Sequence, residues 1–235
     1  MLNLLKKEDI LFLDVETVPQ YATYNELPEA TRKLWDHKTE YIKKPERATP
    51  GELYERAGIY AEFGKIVCIS VGFFHNDKFR LKSFAGEDEK LLLEDFAAML
   101  GKDFFKSNRL LCAHNGKEFD FPYIARRMLI NRIKLPTLLD YSGKKPWEVP
   151  HLDTMELWRF GDYKNYTSLE LLANIFNIPT PKDDIKGSDV GKVYWQDQDI
   201  SRIARYCEKD VVTIARLFLC YRGEEIFDDE AVEVV

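Results

Sequence analysis

The feature that most constrains the fold is a continuous run of apolar residues near the start of the chain. Residues 10–14 read I-L-F-L-D and continue as V-E-T, so the apolar run ends in two acidic residues. A short apolar run without alternation is typical of a strand buried within a sheet. Because successive side chains of a strand point to opposite faces, Asp14 and Glu16 share one face. The sequence therefore predicts a buried strand whose C-terminal end carries two neighbouring carboxylates.

The rest of the pattern predicts further strands, and then strands that alternate with helices. Strands are expected at 65–74, 79–84 and 109–113, with a hairpin turn at 75–77, and helices at 28–43, 87–105, 121–131, 154–160, 168–176 and 199–221. This order is typical of a mixed α/β sheet domain. We expect one domain over residues 1–235, in which a segment from about 19 to 63 is inserted over one end of the sheet.

Composition excludes several classes of function. The chain is 45% apolar and 31% charged, which is enough for a sizeable core. It has no apolar run near the roughly 20 residues of a membrane helix and no secretory signal, so we expect a cytoplasmic protein without membrane contact. The scattered cysteines contain no C-x-x-C pair and are expected to pack as small hydrophobes. A net charge of −6 argues against binding nucleic acid by bulk electrostatics, but not against gripping phosphates through metal ions.

An aspartate lies within the apolar stripe of the last predicted helix. Asp210 falls between Cys207 and Ile214, which follow one another at helical spacing. An aspartate on a buried helix face is unfavourable unless it is paired or bound to a metal. Tyr206 lies four residues earlier, so its ring can lie beside the Asp210 carboxylate. A hydrogen-bonded Tyr–Asp pair in the core and an ion pair with Lys or Arg are the alternatives to metal binding.

A third polar segment, A-H-N-G-K-E-F-D, occupies residues 113–120. Asp120 immediately precedes a predicted helix and, considered alone, is suited to be its N-cap. Asn115 lies in an N-G dipeptide, which is common in turns. His114 is expected only to pack nearby. These roles are more common than a catalytic one when the segment is considered alone.

The separate segments can nevertheless converge on one edge of the sheet. That arrangement would bring together Asp14, Glu16, Asp120 and Asp210. Four oxygen donors without a His or Cys companion suit Mg²⁺ or Mn²⁺. Two such ions, roughly 4 Å apart, form the arrangement that cleaves phosphodiesters. The sequence therefore predicts a centre for two divalent metal ions, Mg²⁺ or Mn²⁺.

These residues resemble the three motifs of the DnaQ-like, or DEDD, 3′–5′ exonuclease superfamily. The D-x-E motif resembles residues 14–16, the motif with Asn and then Phe-Asp resembles residues 115–120, and Tyr-x-x-x-Asp resembles residues 206–210. Arg205 stands where the other branch carries His, so the resemblance is to the tyrosine (DEDDy) branch. Residues 152–218 are also similar, in the order of their motifs, to the proofreading exonuclease domain of family B DNA polymerases.

The resemblance implies a ribonuclease H-like fold, which is an α/β fold with a five-stranded mixed β-sheet and helices on both faces. It implies metal-dependent 3′–5′ exonuclease activity in which Asp14, Glu16, Asp120 and Asp210 hold the ions. It also implies that Tyr206 orients the attacking water.

By the same resemblance, Thr17 and Asn115 contact the terminal nucleotide, and Phe119 stacks on or wedges beside a base. A place in the core is the alternative for Phe119. The implied partner is a nucleic acid with a free 3′ end, and single-stranded DNA is favoured. An exoribonuclease of the same fold stays open. A non-catalytic binding module of that fold is also an alternative, but it would be expected to have lost at least one of the four acids, and none is replaced.

Overall fold

The computed structural model describes residues 2–43, 47–102, 109–162, 166–180 and 185–235. Within these ranges six strands form one sheet, in the order β5-β4-β1-β2-β3-β6. The strands are β1 (Ile10–Pro19), β2 (Gly64–His75), β3 (Lys78–Ala85), β4 (Leu110–Ala113), β5 (Leu152–Asp153) and β6 (Val232–Val234).

The sheet is mixed. β1 pairs with β2, and β2 with β3, in antiparallel fashion, whereas β4 is parallel to β1, β5 to β4 and β6 to β3. The predicted α/β class and mixed sheet are confirmed, but the predicted count of five strands is wrong for the described chain. The additional strand, β6, has three residues, which is too short to show a period in the sequence.

β1 is longer than the sequence predicts. It continues to Pro19 because its antiparallel pairing with β2 continues past the two acids, with a β-bulge between Glu16 and Thr17. Its described pairing with β4 covers only residues 10–12. Asp14 and Glu16 therefore lie beside the point where β4 ends, and not at the end of their own strand as predicted.

The predicted hairpin is confirmed. β2 and β3 are joined through Asn76 and Asp77, whose φ angles are 48° and 60°. Two consecutive left-handed residues match the right-handed twist of the flanking strands, and Asn and Asp tolerate that conformation better than most residues.

Helices cover both faces of the sheet. The described α-helices are α1 (Glu29–Glu40), α2 (Pro50–Leu53), α3 (Glu89–Leu100), α4 (Asp120–Ile130), α5 (Thr154–Arg159), α6 (Leu169–Ile175), α7 (Val190–Lys192) and α8 (Ile200–Arg222). α3 and α4 pack with Leu11 and Leu13 of β1, whereas α8 packs with Ile10 and Phe12 on the other face. The predicted helix at 87–105 corresponds to α3, and residues 103–105 lie outside the described residues. No helix in the described ranges is long and apolar enough to cross a membrane.

The alternation along β1 decides which helix the two acids face. Phe12 packs against α8, so Asp14 and Glu16, at the next positions of the same parity, lie on the α8 face. α8 is positioned by caps at both ends. The Asp199 carboxylate accepts a backbone N–H of the first turn, and Gly223 ends the helix with a φ of 69°, which glycine adopts without strain.

The segment between β1 and β2 forms its own small helical layer. α1, α2 and a 3₁₀ helix at Tyr54–Ile59 surround the buried Trp35, whose indole N–H donates to the Pro50 carbonyl over 2.8 Å. Gly58 packs against the backbone of β1, where an added Cβ would lie 3.0 Å from the Val18 carbonyl carbon. A larger residue at this glycine would push the layer away from β1.

Candidate active site

The two acids of β1 are close together and largely enclosed. Ligand atoms of Asp14, Glu16 and Cys207 all lie within 4.8 Å of one another. Burial raises the pKa of the Asp14 carboxyl well above its ordinary value, and the carboxylates of Glu16, Asp210 and Asp120 raise it further. The pKa of Glu16 is likewise raised, first by burial and then by the Asp210 carboxylate. β1 therefore carries two carboxyls that resist ionisation when no cation is present.

Asp120 is the first residue of α4 and is only 4% exposed. Phe119 holds the N-cap position, so the simple cap role for Asp120 is wrong. Burial raises the pKa of Asp120 to about 8, and the charges of Asp153 and Asp210 act in the same direction. The backbone N–H groups of Asp120 and Val15 oppose this shift by hydrogen bonding to the carboxylate. The bond to Val15 joins the start of α4 to β1 between its two acids.

Asp210 and Tyr206 lie on α8, half-buried, and line one cleft. The cleft has a volume of about 600 Å³, and its lining also includes Ser168, Lys186 and Lys209. The Asp210 charge raises the pKa of the acids on β1 and of Asp120. The structure thus brings together the four acids that the sequence singles out, from β1, α4 and α8.

The donor chemistry of this cluster fits a divalent cation. Each carboxylate in the group destabilises the charged form of its neighbours, and a cation between them would reverse that effect. Carboxylate oxygens are the ligands that Mg²⁺ and Mn²⁺ prefer.

Cys207 contacts Asp14 of β1, which was not predicted from the sequence. Its thiol donates to the Asp14 carboxylate, with Sγ 3.2 Å from Oδ2, and lies 3.3 Å from the Asp14 carbonyl oxygen. The residue is fully buried, as expected for a small hydrophobe, but its sulfur contacts a carboxylate at the same time. Cys207 lies three residues before Asp210 on the same face of the helix, and this spacing could have indicated its proximity to the site.

Asp153 is a second residue that the sequence analysis missed. Its carboxylate accepts the backbone N–H of Asn115 over 3.0 Å and that of Lys117 over 3.1 Å. The same carboxylate caps α5 by accepting the N–H groups of Met155 and Glu156. One buried side chain at the end of β5 therefore fixes both α5 and the loop that leads to Asp120. The available signal was an Asp directly before a predicted helix start.

Asn115 has a strained backbone and an unsatisfied side chain. Its φ is 62°, and its carbonyl accepts the N–H groups of Glu118 and Phe119. Its side-chain oxygen Oδ1 is buried, and no hydrogen-bond partner for it exists among the described residues. Buried acceptors are normally satisfied, so this oxygen is suited to receive a donor from a bound molecule.

Thr17 and Phe119 are both tied to the protein core. The Thr17 hydroxyl hydrogen-bonds with the Tyr123 phenol, which itself donates to the Gly58 carbonyl over 2.7 Å. Phe119 is half-buried against the core formed with α3 and α4, and its ring centroid lies 5.3 Å from that of Tyr123. These contacts agree with the core alternative for Phe119 and leave part of its ring exposed.

His114 links the loop before α4 to the residues before α6. Its Nε2 and the Thr167 carbonyl oxygen are 2.9 Å apart, and its Nδ1 lies 2.9 Å from the Thr154 hydroxyl. Burial lowers the pKa of His114, although the bond to Thr167 opposes that shift. The carbonyl can only accept, so the imidazole Nε2 donates. His114 therefore has a structural link in addition to the packing role expected from the sequence.

The chain has detectable relatives. Residues 59–230 match the model of a family described as a predicted 3′–5′ exonuclease related to the exonuclease domain of PolB. That range contains Asn115, Asp120, Tyr206 and Asp210, and it begins after the acids of β1.

The fold is similar to a structure of the family B DNA polymerase from the hyperthermophilic archaeon Pyrobaculum calidifontis. The TM-score is 0.54 at 17% sequence identity, over 91% of this chain and 24% of that chain. At this identity the likeness concerns the fold alone, and it confirms the predicted ribonuclease H-like class. The chain corresponds to only a minor part of the polymerase's length.

Proposed function

We propose that this chain, which belongs to the family of predicted 3′–5′ exonucleases related to the PolB exonuclease domain, is an active, metal-dependent 3′–5′ exonuclease. The observation that carries this proposal is the cluster of four buried or half-buried acids, three of which have pKa values raised partly by the charges of the others. A cation bound among these carboxylates would remove the repulsion between them. A non-catalytic module of the same fold would be expected to have lost at least one of the four acids, and none is replaced.

In this proposal Asp14, Glu16, Asp120 and Asp210 hold two divalent ions, Mg²⁺ or Mn²⁺. When bound, such ions supply Lewis-acid stabilisation of the phosphate charge and lower the pKa of a bound water. The chain's own contribution is to fix the carboxylates in place. The Val15 N–H orients Asp120, and the nearby Cys207 thiol orients Asp14 by donating to its carboxylate.

Tyr206 is proposed as the residue that positions the attacking water, as in the tyrosine branch of the superfamily. Its location in the same cleft as Asp210 supports this role. A phenol is a weak base at neutral pH, so its contribution is a hydrogen bond that orients the nucleophile and not removal of its proton.

Asn115, Thr17 and Phe119 are proposed to contact the terminal nucleotide. The buried and unsatisfied Oδ1 of Asn115 supports this role best, because a sugar hydroxyl can donate to it. Phosphates of the substrate would meet Lys186 and Lys209, which line the cleft together with Glu170 and Asp210. We favour single-stranded DNA as the substrate, because the family is related to the exonuclease domain of PolB.

An assay with purified protein and 5′-labelled single strands of DNA and RNA tests the proposal. Each strand is incubated with Mn²⁺, Mg²⁺ or EDTA, and a circular single-stranded DNA serves as a substrate without ends. We expect stepwise shortening of linear DNA from the 3′ end, only with a divalent ion, and an intact circle. Undiminished cleavage in EDTA or cutting of the circle would refute the proposal. Faster shortening of RNA would correct the substrate class and leave the reaction unchanged.

A further inference from the structure

Several aromatic side chains lie exposed on the described surface. They include Tyr41, Trp147, Phe160 and Tyr166, with exposures between 68% and 92%. Single exposed apolar residues are normal and need no function by themselves. Location therefore decides whether any of these rings has a role.

Tyr166 is anchored at the rim of the candidate active site. The next residue, Thr167, accepts a hydrogen bond from His114 on its carbonyl, and His114 directly precedes Asn115. Ser168 then caps α6 by accepting the N–H of Leu171. Ser168 also lines the cleft that contains Tyr206 and Asp210. The backbone on the C-terminal side of Tyr166 is thus held against both the Asn115 loop and the cleft.

Electrostatics agree with this location. Partial burial raises the pKa of the Tyr166 phenol, and the carboxylates of Asp120, Glu118 and Asp153 raise it further, against a smaller opposite effect of Arg159. Trp147, by contrast, lies in the 3₁₀ helix Pro146–Glu148, which precedes β5. Phe160 follows the last residue of α5, whose first turn is the one that Asp153 caps.

The surroundings of Tyr166 favour a base over a phosphate as its ligand. The carboxylates of Glu118 and Asp153, which hold no ion in the proposed centre, disfavour a phosphate at the ring. A neutral aromatic ring offers a face on which any base can stack. Since the side chain is 68% exposed, a face of the ring is open to a ligand.

We propose that Tyr166 is a stacking platform for one of the last bases before the 3′ end of the bound strand. This inference rests on the proposed exonuclease function and adds a specific base contact to it. The contact holds the strand in place through the ring and makes no direct contribution to bond cleavage. Loss of the ring should therefore change KM far more than kcat.

The test uses the full chain, Mn²⁺ and single-stranded DNA that is either intact or abasic at the first, second or third position from the 3′ end. On intact DNA, Tyr166→Ala should raise KM about tenfold, as expected for loss of one base–aromatic stack, with a similar kcat. Tyr166→Phe keeps the ring and should behave as wild type. Trp147→Ala removes an equally exposed ring elsewhere and is the matched control.

The abasic strands show whether the ring meets a base. At one of the three positions, removal of the base should raise the KM of the wild type about as much as Tyr166→Ala raises it on intact DNA. With the variant and that abasic strand together, KM should be little higher than with either change alone. A Tyr166→Ala enzyme with the wild-type KM, or additive effects at all three positions, would overturn the stacking inference while wild-type activity stands. Absence of shortening by the wild-type protein would instead refute the exonuclease function itself.

Discussion

Replacement of Asp153 gives a prediction that can be worked out from individual hydrogen bonds. Among the described residues, its Oδ1 accepts the N–H groups of Asn115, Met155 and Glu156, and its Oδ2 accepts that of Lys117. Asp153→Ala removes both acceptor oxygens and with them all four hydrogen bonds, and Asp153→Asn replaces one carboxylate oxygen with a donor. If the amide keeps its oxygen at the Oδ1 position, only the bond to Lys117 is lost.

The expected losses follow from these contacts. For Asp153→Ala, loss of the helix cap costs about 1 kcal/mol and loss of two charge-assisted bonds to the loop costs about 3 kcal/mol. Relief of the repulsion with Asp120 offsets part of this, so we expect a net loss of about 3 kcal/mol. In a chain of this size that corresponds to a decrease in Tm of roughly 6–12 °C. Asp153→Asn should lose about 1.5 kcal/mol, or roughly 3–6 °C.

Thermal unfolding of the wild type and both variants in EDTA measures these changes. Asp199→Ala is the control, because Asp199 caps α8 by accepting the Arg202 N–H and its replacement thus removes a helix cap of the same kind. It should lose only about 1 kcal/mol. An Asp153→Ala protein no less stable than Asp199→Ala would show that the bonds to the Asn115 loop add nothing. A larger loss for Asn than for Ala would refute the assignment of acceptors to the two oxygens.

Three further predictions concern the acidic centre. In EDTA, the free energy of unfolding should decrease as the pH rises from about 4 to about 8. The cause is that Asp120, whose pKa is raised to about 8, and the two acids of β1 bind protons more tightly in the folded protein than in the unfolded chain. Thermal melts at several pH values check this, and added Mn²⁺ should make the decrease smaller. Cys207→Ala should weaken the affinity for Mn²⁺ about tenfold in a titration, whereas Cys207→Ser keeps a donor toward Asp14 and should lose less affinity. Equal Mn²⁺ affinities of the Ala and Ser variants would contradict the role of the thiol as a donor. Tyr206→Phe should lower kcat by about 10²-fold at a similar KM, and a wild-type kcat would exclude Tyr206 as the positioning residue.

The parts of the fold that local patterns specify were predictable from the sequence. The apolar run of β1, the Asn–Asp hairpin and the apolar stripe of α8 each carry their own periodicity or turn chemistry. The alternation of side chains along a strand also placed Asp14 and Glu16 on the same face of β1. These signals need no information about distant residues.

The parts that failed depend on partners far away along the chain. β1 continues past its acids because its pairing with β2 extends as far as Pro19. No local pattern in the sequence of β1 indicates that pairing. The contact between Cys207 and Asp14 joins residues that are 193 positions apart. Asp153 looks like an ordinary helix cap in the sequence, and its second role appears only when β4 and β5 lie side by side.

The site residues divide in the same way. Convergence of the four acids was inferred from their separate positions at strand and helix ends, and the structure brings them together. For Asn115 the residue pattern alone indicated a turn and the family resemblance implied a contact with the terminal nucleotide, whereas the buried and unsatisfied Oδ1 is a property of the folded loop. The tightly packed surroundings of Thr17 and Phe119 also arise from contacts with Tyr123 that the sequence does not specify.

In the proposed function, Asp14, Glu16, Asp120 and Asp210 form one cation-binding centre. The most direct measurement is the Tm of the wild type and of Asp210→Asn with and without Mn²⁺, at matched ionic strength. A cation at 100 times its Kd that binds only the folded state contributes about 2.7 kcal/mol, which is roughly 5–10 °C for this chain. Glu208→Gln is the control, because this neighbouring acid on α8 accepts a hydrogen bond from Ser83 and should leave the shift intact. We predict a large shift for wild type and Glu208→Gln and a small one for Asp210→Asn. Equal shifts in Tm in all three proteins would show that Asp210 does not hold the ion.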